Sequence, residues 1–122
     1  MLETAILYIA VLVVLFLLKS LILNDLTTDR ARKMLQEGAT LIDVRTEREY
    51  SSSHLERAVN IPLSDLEDKI NVTAPDRGKV ILLYCRSGIR SFIGKKVLQK
   101  MGYNHAYNLG SFGRARRILK KV

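Results

Sequence analysis

An apolar run near the start of the chain decides what the remainder is able to build. Residues 5–18 carry no charge, and after Lys19 and Ser20 the run resumes at Leu21, Ile22 and Leu23. At about 1.5 Å per residue, the 5–23 stretch makes roughly 28 Å of helix, close to the ~30 Å hydrocarbon core of a bilayer. Lys19, near one end, is able to snorkel to the headgroups. The segment is therefore predicted to be one transmembrane anchor over 1–24, leaving residues 25–122 as a single domain. A secretory signal peptide is the rival reading, because a short apolar stretch also fits its hydrophobic region. Against it, Glu3 rather than Lys or Arg precedes the run, and no pair of small residues stands at a cleavage position after it. Lys19, Arg30, Arg32 and Lys33 on the C-terminal flank predict a cell-membrane protein whose domain faces the cytoplasm.

The rest of the chain narrows its chemistry by scarcity. One cysteine in 122 residues excludes an intrachain disulfide framework and a paired-cysteine redox motif, and two scattered histidines supply no zinc-ligand spacing. No metal and no cofactor is expected, and the lone thiol is either packing or a nucleophile. Charge is distributed unevenly: residues 1–76 hold 8 basic and 12 acidic groups, whereas residues 77–122 hold 12 basic groups and no acidic one. Such a half suits an anionic small substrate, an anionic membrane surface or nucleic acid. The tail from Arg114 through Arg116, Arg117, Lys120 and Lys121 has no interleaved aromatic residues, so nucleic acid is not expected as a partner.

Apolar segments and breakers alternate through the domain. Thr28 is placed to cap a helix over 28–37 that Gly38 stops, and 40–44 reads as a buried strand. A helical turn is predicted at 47–50, a short strand at 59–61 ended by Pro62, and a brief helix over 64–70 capped by Ser64. Residues 71–79 read as loop. The fully apolar 80–84 segment is the clearest strand, and a helix over 91–101 follows, packing Ile93, Val97, Leu98 and Met101. A last strand at 105–109 and a last helix at 112–121 complete the pattern. Strands alternating with helices imply parallel pairing and an α/β fold.

The chemistry gathers where the 80–84 strand ends. Ligands of parallel sheets bind beyond the carboxyl ends of strands, and Cys85 is the first residue past this one. Arg86, Ser87, Gly88, Ile89 and Arg90 must then turn the chain into a helix, so that several backbone N–H groups converge at its N-terminus. These dipoles and the two arginines favour thiolate over thiol. A free cysteine is commonly a small core hydrophobe, but this context predicts a functional thiol outside the core.

Residues 85–91, CRSGIRS, resemble the active-site loop of the rhodanese sulfurtransferases. Residues 41–62, LIDVRTEREYSSSHLERAVNIP, resemble the family's N-terminal block, and GYNHAYNL at 102–109 resembles its strand after the active-site helix. The likeness spans about residues 27–118. It implies a rhodanese domain with a five-stranded parallel sheet flanked by helices and the cysteine in a cradle loop. Two departures stand out: the family's glycines around its His-Ile are Ser53 and Arg57 here, and its Gly-Gly pair is Gly110-Ser111, followed by Phe112. Related tyrosine phosphatases separate cysteine and arginine by five residues rather than the four between Cys85 and Arg90, and the tighter ring favours a single sulfur over a phosphate.

The resemblance further implies a two-stroke sulfur transfer. Cys85 takes the sulfane sulfur of thiosulfate or a related anionic donor as a persulfide, then passes it to a thiol, a protein acceptor or cyanide. The N–H groups of residues 86–90 hold the terminal sulfur, Arg86 meets the sulfonate, and Arg90 braces the loop. Asp43 and Arg45, at the end of a neighbouring strand, either fix the wall of the site as an ion pair or merely close a loop. His54 is expected to support the fold rather than act as a base, and Tyr50 and Tyr84 to pack. A catalytically silent, membrane-tethered binding module of the same fold is the alternative.

Overall fold

The computed structural model describes residues 1–23 and 26–122. The domain boundary expected between residues 24 and 25 lies outside the described residues. Helix α1 (Leu2–Leu23) is apolar on all sides, and its Leu2–Lys19 stretch has a mean hydropathy of 2.3 with none of it buried. Its 22 residues correspond to about 33 Å, so it is long and apolar enough to cross a bilayer. A signal sequence satisfies the same two criteria.

The remaining elements run α2 (Thr28–Gln36), β1 (Thr40–Asp43), α3 (Glu47–Ser52), β2 (Val59–Asn60), a 3₁₀ turn (Leu63–Asp65), α4 (Leu66–Thr73), β3 (Ile81–Cys85), α5 (Ile89–Lys100), β4 (Ala106–Ser111) and α6 (Phe112–Leu119). The strands pair in the order β2-β1-β3-β4, all parallel. The α/β class is as predicted, but the described residues hold four strands rather than five. Only four segments between Thr28 and Leu119 combine strand length with apolar content, and the helices and turns take up the rest. Local differences have local causes. Thr27 rather than Thr28 caps α2, accepting a bond from the Arg30 N–H at 3.3 Å. Asp65 rather than Ser64 precedes α4 and makes no side-chain cap, and the helix runs on to Thr73.

Period-two alternation along β3 sorts the core into two layers. Leu82 and Tyr84 face α2 and α6, where Leu26, Ala31, Leu35, Ala115 and Ile118 are buried. Ile81, Leu83 and Cys85 face α4 and α5, against Leu66, Ile70 and Leu98. Helix α5 reaches the sheet through Ser91, Gly94, Lys95 and Leu98, while Ile93, predicted to pack, is 46% exposed. A Cβ on Gly94 would stand 3.1 Å from Leu66 and 3.2 Å from Leu83, so the glycine sets how closely α5 approaches β3.

Candidate active site

Cys85 is the last residue of β3, and its alternation points Sγ under the following turn rather than into solvent. It is 0% exposed. The thiol predicted to lie outside the core is thus wholly buried, because the 86–88 segment folds back over it and bridges to β4 through Ser87 and Ser111. Gly88 makes this possible. Its φ of +93° lies in the left-handed region, it precedes the first turn of α5, and its N–H donates to Cys85 Sγ at 3.0 Å. A Cβ there would sit 3.4 Å from the Gly110 backbone.

The turn is also shorter than predicted. Helix α5 begins at Ile89, so Ile89 and Arg90 occupy its first turn, and only Arg86, Ser87 and Gly88 form loop. Burial pushes the Cys85 thiol up, yet hydrogen bonds from the Ser91 hydroxyl and from the N–H groups of Ser91, Gly88 and Ser87 outweigh it, holding the thiol below its ordinary range. The backbone dipoles act as expected, Ser91 adds to them, and Arg90 is coupled to Cys85 only through its charge.

Arg90 is committed elsewhere. Its guanidinium donates to both carboxylate oxygens of Glu49, at 2.7 and 3.0 Å, tying the first turn of α5 to α3. The hydrogen bond from Arg90 holds the Glu49 carboxyl at about 2, well below its usual 4.5. Glu49 itself is fixed by a capping box with Thr46. Arg86 is exposed and lines a hollow of about 270 Å³ with Arg45, Glu49, Ser52, Ser53 and Phe112.

Asp43 and Arg45 meet at the carboxyl end of β1. Arg45 Nη2 lies 2.7 Å from Asp43 Oδ2, Arg45 Nε donates to both oxygens at 3.0 Å, and the Arg45 N–H donates to Oδ1 at 2.9 Å. Arg45 also bonds the Ser53 carbonyl at 2.6 Å and stacks over Phe112 at 4.7 Å, so Arg45 lines the hollow while its partner Asp43 is wholly buried. His54 stacks on Tyr50 with ring centroids 3.8 Å apart and reaches the Tyr50 carbonyl through Nδ1 at 2.8 Å. Tyr50 donates to the Ala58 carbonyl at 2.8 Å, and the buried Tyr84 hydroxyl accepts from the Leu55 N–H at 3.4 Å.

Two residues that the sequence left unassigned complete the cradle. Asn108 donates to the Gly88 carbonyl at 3.0 Å and accepts from the Gly110 N–H at 3.0 Å and the Ser91 hydroxyl at 2.7 Å. The pairing of β3 with β4 steps from Leu83–Asn108 to Tyr84–Gly110, and the extra residue, Leu109, makes a bulge that brings Gly110 onto the Asn108 carbonyl oxygen. Ser91 Oγ lies 3.4 Å from Cys85 Sγ, 2.7 Å from Asn108 Oδ1 and 3.5 Å from the Gly110 carbonyl oxygen, so its one proton has three acceptors within reach, Asn108 the nearest. An asparagine inside an otherwise apolar strand pattern was the available signal, since a buried amide must find partners.

A buried cysteine under a turn of converging N–H groups, at the strand-to-helix junction of a parallel sheet, gives a single-cysteine α/β site whose hydrogen-bond donors favour the thiolate. Residues 27–112 match the rhodanese-like domain family, and the chain belongs to it. It is 38% identical over 69 residues to the thiosulfate sulfurtransferase PspE of Escherichia coli, covering 57% of this chain and 66% of that protein. It is 33% identical over 102 residues to YqhL of Bacillus subtilis, covering 84% and 79%. Among solved structures it resembles the human single-domain sulfurtransferase TSTD1, with a TM-score of 0.60, 28% identity, and coverage of 75% of this chain and 91% of that one.

Proposed function

We propose that the chain is a membrane-anchored sulfurtransferase in which Cys85 carries sulfur between an anionic sulfane donor, such as thiosulfate, and a thiol, protein or cyanide acceptor. The observation that carries this reading is the Gly88 N–H on Cys85 Sγ at 3.0 Å, reinforced by the Ser91 hydroxyl, in a site that lowers the thiol's pKa.

In the first stroke, the Cys85 thiolate attacks the outer sulfur of thiosulfate. The new S–S bond forms as the bond to the sulfonate sulfur breaks, and sulfite leaves with the electron pair. Cys85 is wholly buried, so the donor reaches Sγ only once the site opens. The exposed Arg86 then meets the sulfonate at the mouth of the hollow. N–H groups of the turn stabilise the terminal persulfide sulfur as an oxyanion hole stabilises oxygen. In the second stroke, an acceptor thiolate or cyanide takes that sulfur, and the Cys85 thiolate is restored. Arg90, Asp43 and Arg45 brace the walls. Neither stroke consumes a cofactor.

Helix α1 serves as the anchor over 1–24 and the domain from 25 to 122 faces the cytoplasm, a reading supported by the cations on its C-terminal flank. A reducing compartment also keeps an activated thiol free. Thiocyanate formation from thiosulfate and cyanide tests the enzyme reading. Turnover by the wild type and none by Cys85→Ser is the expected result, and equal background from both would leave the silent binding module in its place.

A further inference from the structure

The basic tail has no part in the sulfur chemistry, yet the fold gathers it into a shaped surface. A groove of about 340 Å³ lies between α2 and α6, lined by Thr28, Arg32, Arg114, Arg117, Lys120 and Lys121, with Ile118 at its floor. Arg32 is held by the Ile118 carbonyl at 3.4 Å and by Asp29 at 3.5 Å, and Arg114 bonds the Leu109 and Leu26 carbonyls. Among the described residues, no ion pair involves Arg117, Lys120 or Lys121. Five cations thus line the groove, and Asp29, paired with Arg32, is 98% exposed.

The groove's position is constrained by the chain itself. Leu26, whose carbonyl Arg114 bonds, is three residues beyond the last residue of the apolar helix, Leu23. Three residues span at most about 11 Å even when fully extended. Where α1 crosses a bilayer, the wall of the groove is therefore within about one Debye length of the headgroups, where charge attraction is poorly screened.

Resting on the membrane-anchor reading, we propose that this groove is a binding site for the phosphate of an anionic phospholipid headgroup, docking the domain against the membrane beside its own anchor. Arg117, Lys120 and Lys121 contact the phosphate as charge-assisted donors, while Arg32 and Arg114, already tied to backbone carbonyls, hold the groove's shape. A lipid phosphate, rather than a soluble one, is the ligand because the tether keeps the groove close to the headgroups.

The test places the full chain in nanodiscs of phosphatidylcholine alone or mixed with phosphatidylglycerol, and reads amine labelling of individual lysines by mass spectrometry. Labelling of Lys120 should slow about fivefold in the anionic discs, the factor for one basic group engaged at the surface. Lys69 and Lys79 should not change, and an Arg117→Gln, Lys121→Gln double variant should lose most of the effect. Equal labelling of Lys120 in both discs overturns the proposal. So does slowing that the variant retains, or slowing shared by Lys69 and Lys79, since either means diffuse attraction without a site. Equal slowing by millimolar inorganic phosphate in phosphatidylcholine discs would make it a soluble-anion site and overturn the lipid assignment. Alkaline extraction of the same chain from vesicles reports on the anchor separately, so failure of the anchor and failure of the groove are told apart.

Discussion

Replacing Arg90 with alanine separates a brace from a substrate contact. The substitution removes both hydrogen bonds to Glu49, at 2.7 and 3.0 Å, between side chains that are 34% and 29% exposed. Exposed ion pairs contribute about 0–1 kcal/mol, and breaking fully buried ones costs about 3–5 kcal/mol. A bidentate, half-buried pair falls between, at about 1–2 kcal/mol. For a domain of this size, each kcal/mol lowers the Tm by about 4–8 °C. The pH dependence gives a second handle. Folding lowers the Glu49 carboxyl from 4.5 to about 2, so its contribution is complete above about 4.5 and is lost as pH falls through about 2. Melts followed by tyrosine fluorescence should therefore show Arg90→Ala less stable than the wild type at neutral pH, with the gap closing between pH 4.5 and 2. Arg90→Lys should recover only part of the loss, because it keeps the charge but not the planar fork. Arg86→Ala, by contrast, should raise the KM for thiosulfate and leave the melt unchanged. An Arg90→Ala protein that melts like the wild type but shows a raised KM would refute the brace and assign the guanidinium to substrate.

Other perturbations probe the cradle and the anchor. Alkylation of Cys85 should titrate below the ordinary thiol range, and Ser91→Ala should move that midpoint upward; identical profiles in both proteins would remove Ser91 from the account. Asn108→Leu leaves the Gly88 carbonyl, the Gly110 N–H and the Ser91 hydroxyl without their shared partner, and should cost about 2–4 kcal/mol in denaturant unfolding; a loss under about 1 kcal/mol would mean that the turn is held without it. The full chain should stay with membranes through high-salt and alkaline washes, whereas release by salt would mean attachment by charge alone. A C-terminal reporter active only outside the cytoplasm would overturn the orientation.

The strands were legible where hydropathy decides them. The apolar 80–84 run becomes β3 at Ile81–Cys85, because a continuous apolar pentapeptide has few ways to be buried other than as a central parallel strand. Helix α5 was harder to read, since its buried stripe is Ser91, Gly94, Lys95 and Leu98, only one of which is a large apolar residue. Its periodicity therefore pointed to Ile93, which faces solvent. The cysteine and its turn were apparent from composition and from the strand-to-helix junction. Its supports were not, because Glu49 and Asn108 stand 41 and 17 residues from the side chains they bond, Arg90 and Ser91. Pairings of that kind are set by the register of β4 and the placement of α3, which no local pattern encodes. The fifth strand came from family likeness alone, and the described residues hold four.

Transferable sulfur on Cys85 is visible by intact mass spectrometry. Incubation of the reduced chain with thiosulfate, followed by removal of excess donor, should add one sulfur atom, about 32 Da, that maps to the peptide containing Cys85 and disappears on adding cyanide. The Cys85→Ser protein should gain nothing. An unchanged wild-type mass, with the thiol shown to be free and reduced, would contradict the account and leave a rhodanese fold without sulfur transfer.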